Sequence, residues 1–166
     1  SIIGEPVVFC VSGIKNSGKT YLIEKLINEF IKGGRSVGVI KHDGHDFCCD
    51  IEGTDSYRFY QAGADGVAVF SQYQSFVHKR RELPVKELIE EMRDLDVVII
   101  EGLKDSAYPK VEVVRNEISQ KPVCDPKTLI CIATDTKLPE EIECPVLDIN
   151  DVHGVFCCIK DQLFNA

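Results

Sequence analysis

The chain predicts a three-layer α/β/α fold with a mostly parallel central sheet and an additional β-hairpin, in one domain over residues 1–166. Three observations predict it. Apolar runs at residues 7–11, 36–41, 96–102 and 128–133 read as buried-type strands. The first two are separated by a helix-period segment, which makes a β-α-β unit with parallel strands and a right-handed crossover. Two short β-rich runs, residues 66–71 and 75–79, flank Gln72-Tyr73-Gln74 and read as a hairpin. At 166 residues, such a domain buries about 70% of its unfolded surface without staples.

The first strand runs directly into Gly13-Ile14-Lys15-Asn16-Ser17-Gly18-Lys19-Thr20, which fits G-x-x-x-x-G-K-[ST], the phosphate-binding loop. Gly13 and Gly18 let the backbone turn its N–H groups inward, and the following helix presents the positive end of its dipole to the same anion. Lys19 adds a point charge, and the Thr20 hydroxyl suits the Mg²⁺ that accompanies a nucleoside triphosphate. The fold is therefore of the P-loop NTPase type. In the next helix Leu22, Ile23, Leu26, Ile27, Phe30 and Ile31 recur on one face, and Gly33-Gly34 stops it.

The net charge of −8 argues against a protein whose main business is neutralising a nucleic-acid backbone. Lys79-Arg80-Arg81 is the one dense basic run, and it lacks an aromatic platform. No apolar segment reaches the length of a membrane span, and the N-terminus lacks a signal-peptide pattern. A cytoplasmic location is expected. The eight cysteines are accordingly expected as free thiols, with Cys10 and Cys131 as small core hydrophobes.

After the second strand, Lys41-His42-Asp43-Gly44-His45-Asp46-Phe47 gathers imidazoles and carboxylates at the sheet edge where parallel α/β folds bind ligands. Asp43, Asp46 or Asp50 is expected to hold or orient Mg²⁺, and His42 or His45 to meet a phosphate or partner. Residues 53–56 read as a turn with Asp55 as N-cap, leading into a short helix that ends at Gly63. Leu88, Ile89 and Met92 form one face of a helix over residues 85–93, after Pro84.

The strand at 96–102 ends on Glu101, in the place where phosphate-loop proteins carry their magnesium-associated carboxylate. Glu101 is expected to contact Mg²⁺ through water or to polarise an attacking water; the alternative is a strand simply leaving the core. Lys104, Lys110 and Arg115 read either as cations for a second anionic ligand or as surface charges. Asp135, after the strand at 128–133, is the candidate acceptor for a guanine edge, although the Asn/Thr-Lys pair that usually precedes such a residue is missing. Residues 144–147 read as a last strand, before a C-terminal helix that starts at Asn150-Asp151.

Taken together, GIKNSGKT, VIKHDGHDF, Asp55-Ser56, Ala62-Gly63-Ala64, VVIIEGLK and PKVEVVR resemble the molybdopterin-guanine dinucleotide biosynthesis adapter proteins, the MobB family. The chain departs from the family pattern at Tyr21, at Cys48-Cys49 and at Thr54. The resemblance implies a dimer that binds GTP, hydrolyses it slowly, and assists the guanylyltransferase that joins GMP to molybdopterin. By the same resemblance, residues 13–20 hold the GTP phosphates and Mg²⁺, with Lys15, Asn16 and Ser17 in the loop. His42, Asp43, Asp46 and Glu101 then line the site, Asp46 and Glu101 as its catalytic candidates and Thr20, Asp43 and Glu101 as its metal candidates. Lys104, Lys110 and Arg115 lie near the partner or the pterin phosphate. The alternative is a small-molecule kinase that transfers the γ-phosphoryl group, and a third reading is a scaffold with a vestigial loop.

Overall fold

The computed structural model describes residues 4–118 and 121–164. Its elements run β1 (Val7–Gly13), α1 (Lys19–Lys32), β2 (Val37–Lys41), α2 (Asp55–Gln61), β3 (Gly66–Phe70), β4 (Ser75–Lys79) and α3 (Val85–Glu90). They continue through β5 (Val97–Glu101), β6 (Lys110–Val114), a 3₁₀ turn (Pro126–Thr128), β7 (Leu129–Thr134), β8 (Val146–Asp148) and α4 (Val152–Leu163). The chain forms two compact units, one built from the described residues up to His42 and from Ile89 onward, the other from Asp43–Leu88.

The larger unit holds a six-stranded sheet in the order β2-β5-β1-β6-β7-β8. Every neighbouring pair is parallel, as the helix-connected apolar runs require. Alternate residues of its central strands, Phe9 and Val11, Val97 and Ile99, Val111 and Val113, join Leu22, Leu26, Phe30, Val155, Phe156 and Ile159 in one apolar core. Phe30 anchors the packing, with its ring 5.0 Å from that of Phe156 and 5.8 Å from that of Phe164. The apolar stripe of α1 is narrower than its sequence suggests: Leu22, Ile23, Leu26 and Phe30 are buried, whereas Ile31 is 59% exposed.

The opposite face of the sheet buries polar groups beside the apolar Cys10, Val98, Ile100 and Ile132. Ser12, Lys110 and Glu112 are all buried there. Lys110 Nζ donates to Ser106 O at 2.6 Å, Tyr108 O at 2.7 Å and Ser106 Oγ at 3.0 Å. Glu112 accepts from Val123 N at 2.7 Å and Cys124 N at 3.1 Å. Each buried charge thus has the partners that burial demands, and each pins a loop to the sheet. Lys110 is therefore neither a surface charge nor a cation held out to a ligand, because all three of its donors are engaged inside the fold. On the same face a Cβ at Gly38 would stand 2.6 Å from Met92 Sδ and 2.9 Å from Leu95 Cδ1, so those side chains pack directly onto the bare backbone of β2.

In the smaller unit, β3 and β4 pair antiparallel from Gly66↔Lys79 to Phe70↔Ser75, the expected hairpin. Thr54, not Asp55, is the N-cap of α2, and its hydroxyl accepts from Tyr57 N. Threonine takes the cap because it has the extended backbone of that position, which leaves Asp55 as the first helical residue, where its charge complements the dipole. Arg80 lies over the Tyr60 ring at 3.7 Å, and His78 stacks on that ring at 3.8 Å. The helix expected over residues 85–93 is only Val85–Glu90 and buries none of its residues.

All eight cysteines are free, and Cys10 and Cys131 are fully buried. Among the described residues no helix is long and apolar enough to cross a membrane, and no group of three or more His, Cys, Asp or Glu is arranged to hold a metal on its own.

Candidate functional site

The site is the turn from β1 into α1. Gly13 has φ 147, and a Cβ there would lie 2.6 Å from Val113 O, so the close approach of β1 to β6 admits no side chain. Asn16 takes the left-handed conformation at φ 64, which asparagine tolerates better than most residues, and Ser17 N closes the turn on Ile14 O at 3.2 Å. Gly18, at φ 95, is the N-cap of α1; it offers no side-chain cap, and the first helical turn carries no acidic residue. The leading N–H groups of α1 are thus left for an anion. Ser17 strengthens that reading. It is 2% exposed, and its Oγ has no hydrogen-bond partner among the described residues. A buried hydroxyl left in this state costs about 1–3 kcal/mol, a cost that an anion's oxygen bound in the loop would offset.

Lys19 folds back so that Nζ donates to Gly13 O at 3.0 Å. Burial lowers its pKa, and the nearby Glu101 carboxylate opposes that shift. Parallel pairing sets Glu101 opposite Val11 on β1 and Lys41 on β2. From there Glu101 Oε1 accepts from Thr20 Oγ1 at 2.7 Å, and Oε2 stands 3.9 Å from Lys41 Nζ. A hydroxyl and a carboxylate side by side at the end of the loop form a hard-oxygen donor pair of the kind Mg²⁺ takes alongside substrate phosphates. His42 continues this edge, its N donating to Glu101 O at 3.1 Å. Lys15 and Asn16 are exposed on the rim of the loop.

On the other flank, Arg115 and Asp135 come together. Arg115 Nε donates to Asp135 Oδ2 at 2.9 Å, and Asn116 N donates to Oδ1 at 2.8 Å. These bonds, the backbone one first, hold the Asp135 carboxyl below its usual range. Lys104 pairs with Asp105 at 3.5 Å on the surface. Asp43 and Asp46 belong to the smaller unit. Both accept local backbone hydrogen bonds there, Asp43 from His45 N and Asp46 from Phe47 N, each at 3.0 Å.

Sequence reasoning missed two supports of the site. Lys41 is the cation beside Glu101, and Ser12 Oγ donates to Gly102 O at 2.6 Å, tying the end of β1 to the residue that follows β5. The signal for Ser12 was a lone hydroxyl inside an otherwise apolar strand.

This geometry sits within a chain similar throughout to one group of proteins. Residues 8–135 match the family model described as molybdopterin guanine dinucleotide synthesis protein B. A molybdopterin-guanine dinucleotide biosynthesis adapter protein of Haemophilus influenzae is 34% identical over 157 residues, covering 92% of this chain and 87% of the relative. The crystal structure of Bacillus subtilis MobB superposes with a TM-score of 0.76 at 29% identity, over 94% of this chain and 97% of the other. A MobB homologue from Bacillus stearothermophilus gives 0.71 at 25% identity, over 96% and 99%. With its phosphate loop in place and the match running through most of its length, the chain belongs to the molybdopterin guanine dinucleotide synthesis protein B family.

Proposed function

We propose that the protein is a GTP-binding adapter in molybdopterin guanine dinucleotide synthesis, assisting the guanylyltransferase. The observation that carries this reading is the convergence of Lys19, Thr20 and Glu101 on a loop with a partnerless buried hydroxyl at Ser17, in a chain whose relatives are named adapter proteins. In this reading the backbone N–H groups of the loop and Lys19 bind the triphosphate. Thr20 and Glu101 hold Mg²⁺, which neutralises charge on the phosphates. Glu101 also orients water. Asp43 and Asp46 enter as acidic members of the site on the strength of the sequence motif.

In this reading the protein works as a cytoplasmic homodimer, and residues 1–166 form a single nucleotide-binding domain. Molybdopterin is a further ligand of the assembly. Intrinsic hydrolysis is slow, because none of the residues assigned here is a water-positioning glutamine.

The test is reconstitution with purified guanylyltransferase, molybdopterin and GTP. The proposal expects the full chain to raise the yield or rate of the guanine dinucleotide, and Lys19→Ala to lose that effect. Equal stimulation by Lys19→Ala contradicts a role for the bound nucleotide, and no stimulation with no complex contradicts the adapter role.

A further inference from the structure

The flank of the loop formed by β6 and β7 carries a residue pair that the sequence set beside a second anionic ligand and a guanine edge, not beside the phosphates held by the loop. Strand register explains why they meet. Val114 pairs with Thr134 across β6 and β7, so Arg115 and Asp135 are the first residues past neighbouring strand ends. Val113 pairs with Gly13 across β6 and β1, which brings the same corner beside the loop. A Cβ built on Gly18 would lie 3.1 Å from Arg115 Nη1, so the guanidinium rests directly against the residue that caps α1. Among the described residues its one hydrogen bond runs through Nε to Asp135. The fork of terminal N–H groups, which matches phosphate geometry, is therefore directed by that bond while not being consumed by it. The Arg115 side chain remains 37% exposed, open to a ligand.

Asp135 is held between two local donors, Oδ2 accepting from Arg115 Nε and Oδ1 from Asn116 N, which fixes the carboxylate beside the guanidinium. Ser17, partnerless at 2% exposure in the same loop, independently marks where an anion is wanted.

We infer that Arg115 is a phosphate-contacting residue, supplied in cis from the end of β6, and that Asp135 is its positioning residue. The inference rests on the proposal that the loop binds a nucleoside triphosphate, and it gives that site a second fixed cation opposite the Glu101 flank. It also predicts that Asp135 acts on phosphates and leaves base choice unchanged.

The test is calorimetric titration of the full chain with GTP and with inorganic tripolyphosphate, both in excess Mg²⁺. Arg115→Ala is expected to weaken both ligands by about tenfold or more, the scale of a charge-assisted hydrogen bond. Arg115→Lys, which keeps the charge without the fork, recovers part of the loss and guards against a folding defect. Asp135→Asn weakens both ligands by one smaller factor and adds nothing when combined with Arg115→Ala. Unchanged binding of tripolyphosphate by Arg115→Ala overturns the phosphate contact. A loss of GTP with tripolyphosphate retained in Asp135→Asn overturns the positioning role and restores a base acceptor. If Lys19→Ala abolishes binding while Arg115→Ala does not, the nucleotide reading stands and this inference alone falls. If the unmodified chain binds neither ligand, both fall.

Discussion

Both faces of the central sheet bury apolar residues, but one of them buries charged side chains as well. On one, Phe9, Val11, Ile99 and Val113 pack against the hydrocarbon of α1 and α4. On the other, Lys110 and Glu112 are as fully buried, yet each spends its charge on the backbone of a loop. The apolar face holds the fold together without direction, because hydrophobic burial scales with area. The buried charges of the second face add direction. Ser106, Tyr108, Val123 and Cys124 are fixed by hydrogen bonds that work only in one geometry. The loops so fixed connect β5 to β6 and β6 to β7; β5 ends on Glu101, and Arg115 is the first residue past β6.

This contrast is broken most directly by truncating each face. Phe30→Ala, which empties space between the rings of Phe156 and Phe164, is expected to cost about 3–5 kcal/mol of global stability in denaturant unfolding. Lys110→Met keeps the volume but orphans buried acceptors, and is expected to cost about 1–3 kcal/mol. Its signature is local: amide hydrogen exchange quickens in residues 104–109 while α1 stays protected. Uniform loss of protection in both variants would erase the distinction between the faces.

A smaller effect sharpens the same comparison. Burial, reinforced by Glu112, pushes the Cys124 thiol up to about 12, and burial raises Cys10 and Cys131 as well. Only thiolates react readily, so at pH 8 a maleimide should modify the exposed Cys48 and Cys49 first. Cys124 should label only on unfolding or as the pH approaches its raised value. Fast labelling of Cys124 in the native protein would mean that the Glu112 anchor opens freely.

How much of this was readable in the residues follows from physics. The phosphate loop was readable because its backbone path excludes a Cβ at Gly13, so the chemistry dictates the letters. Glu101 was readable because a carboxylate ending an apolar strand is anomalous. Lys110 and Glu112 were not, since a charge at every second position reads as a half-exposed strand; only the parallel partners on both sides, and loop atoms distant in sequence, show them buried. The Arg115–Asp135 pair was hidden for a similar reason. The two residues are 20 positions apart, and only the β6–β7 register brings them together. The cap of α2 turned on a single residue's backbone angle, and the exchange of Asp55 for Thr54 is a difference that local sequence does not decide.

The central claim is that the turn from β1 into α1 binds GTP with Mg²⁺ through Lys19. Calorimetric titration of the full chain and of Lys19→Ala with GTP, with and without Mg²⁺ and with ATP as competitor, tests it most directly. The account predicts Mg²⁺-dependent binding that prefers GTP and is lost in the variant. Equal or tighter binding of ATP, or GTP binding unchanged in Lys19→Ala, would contradict it.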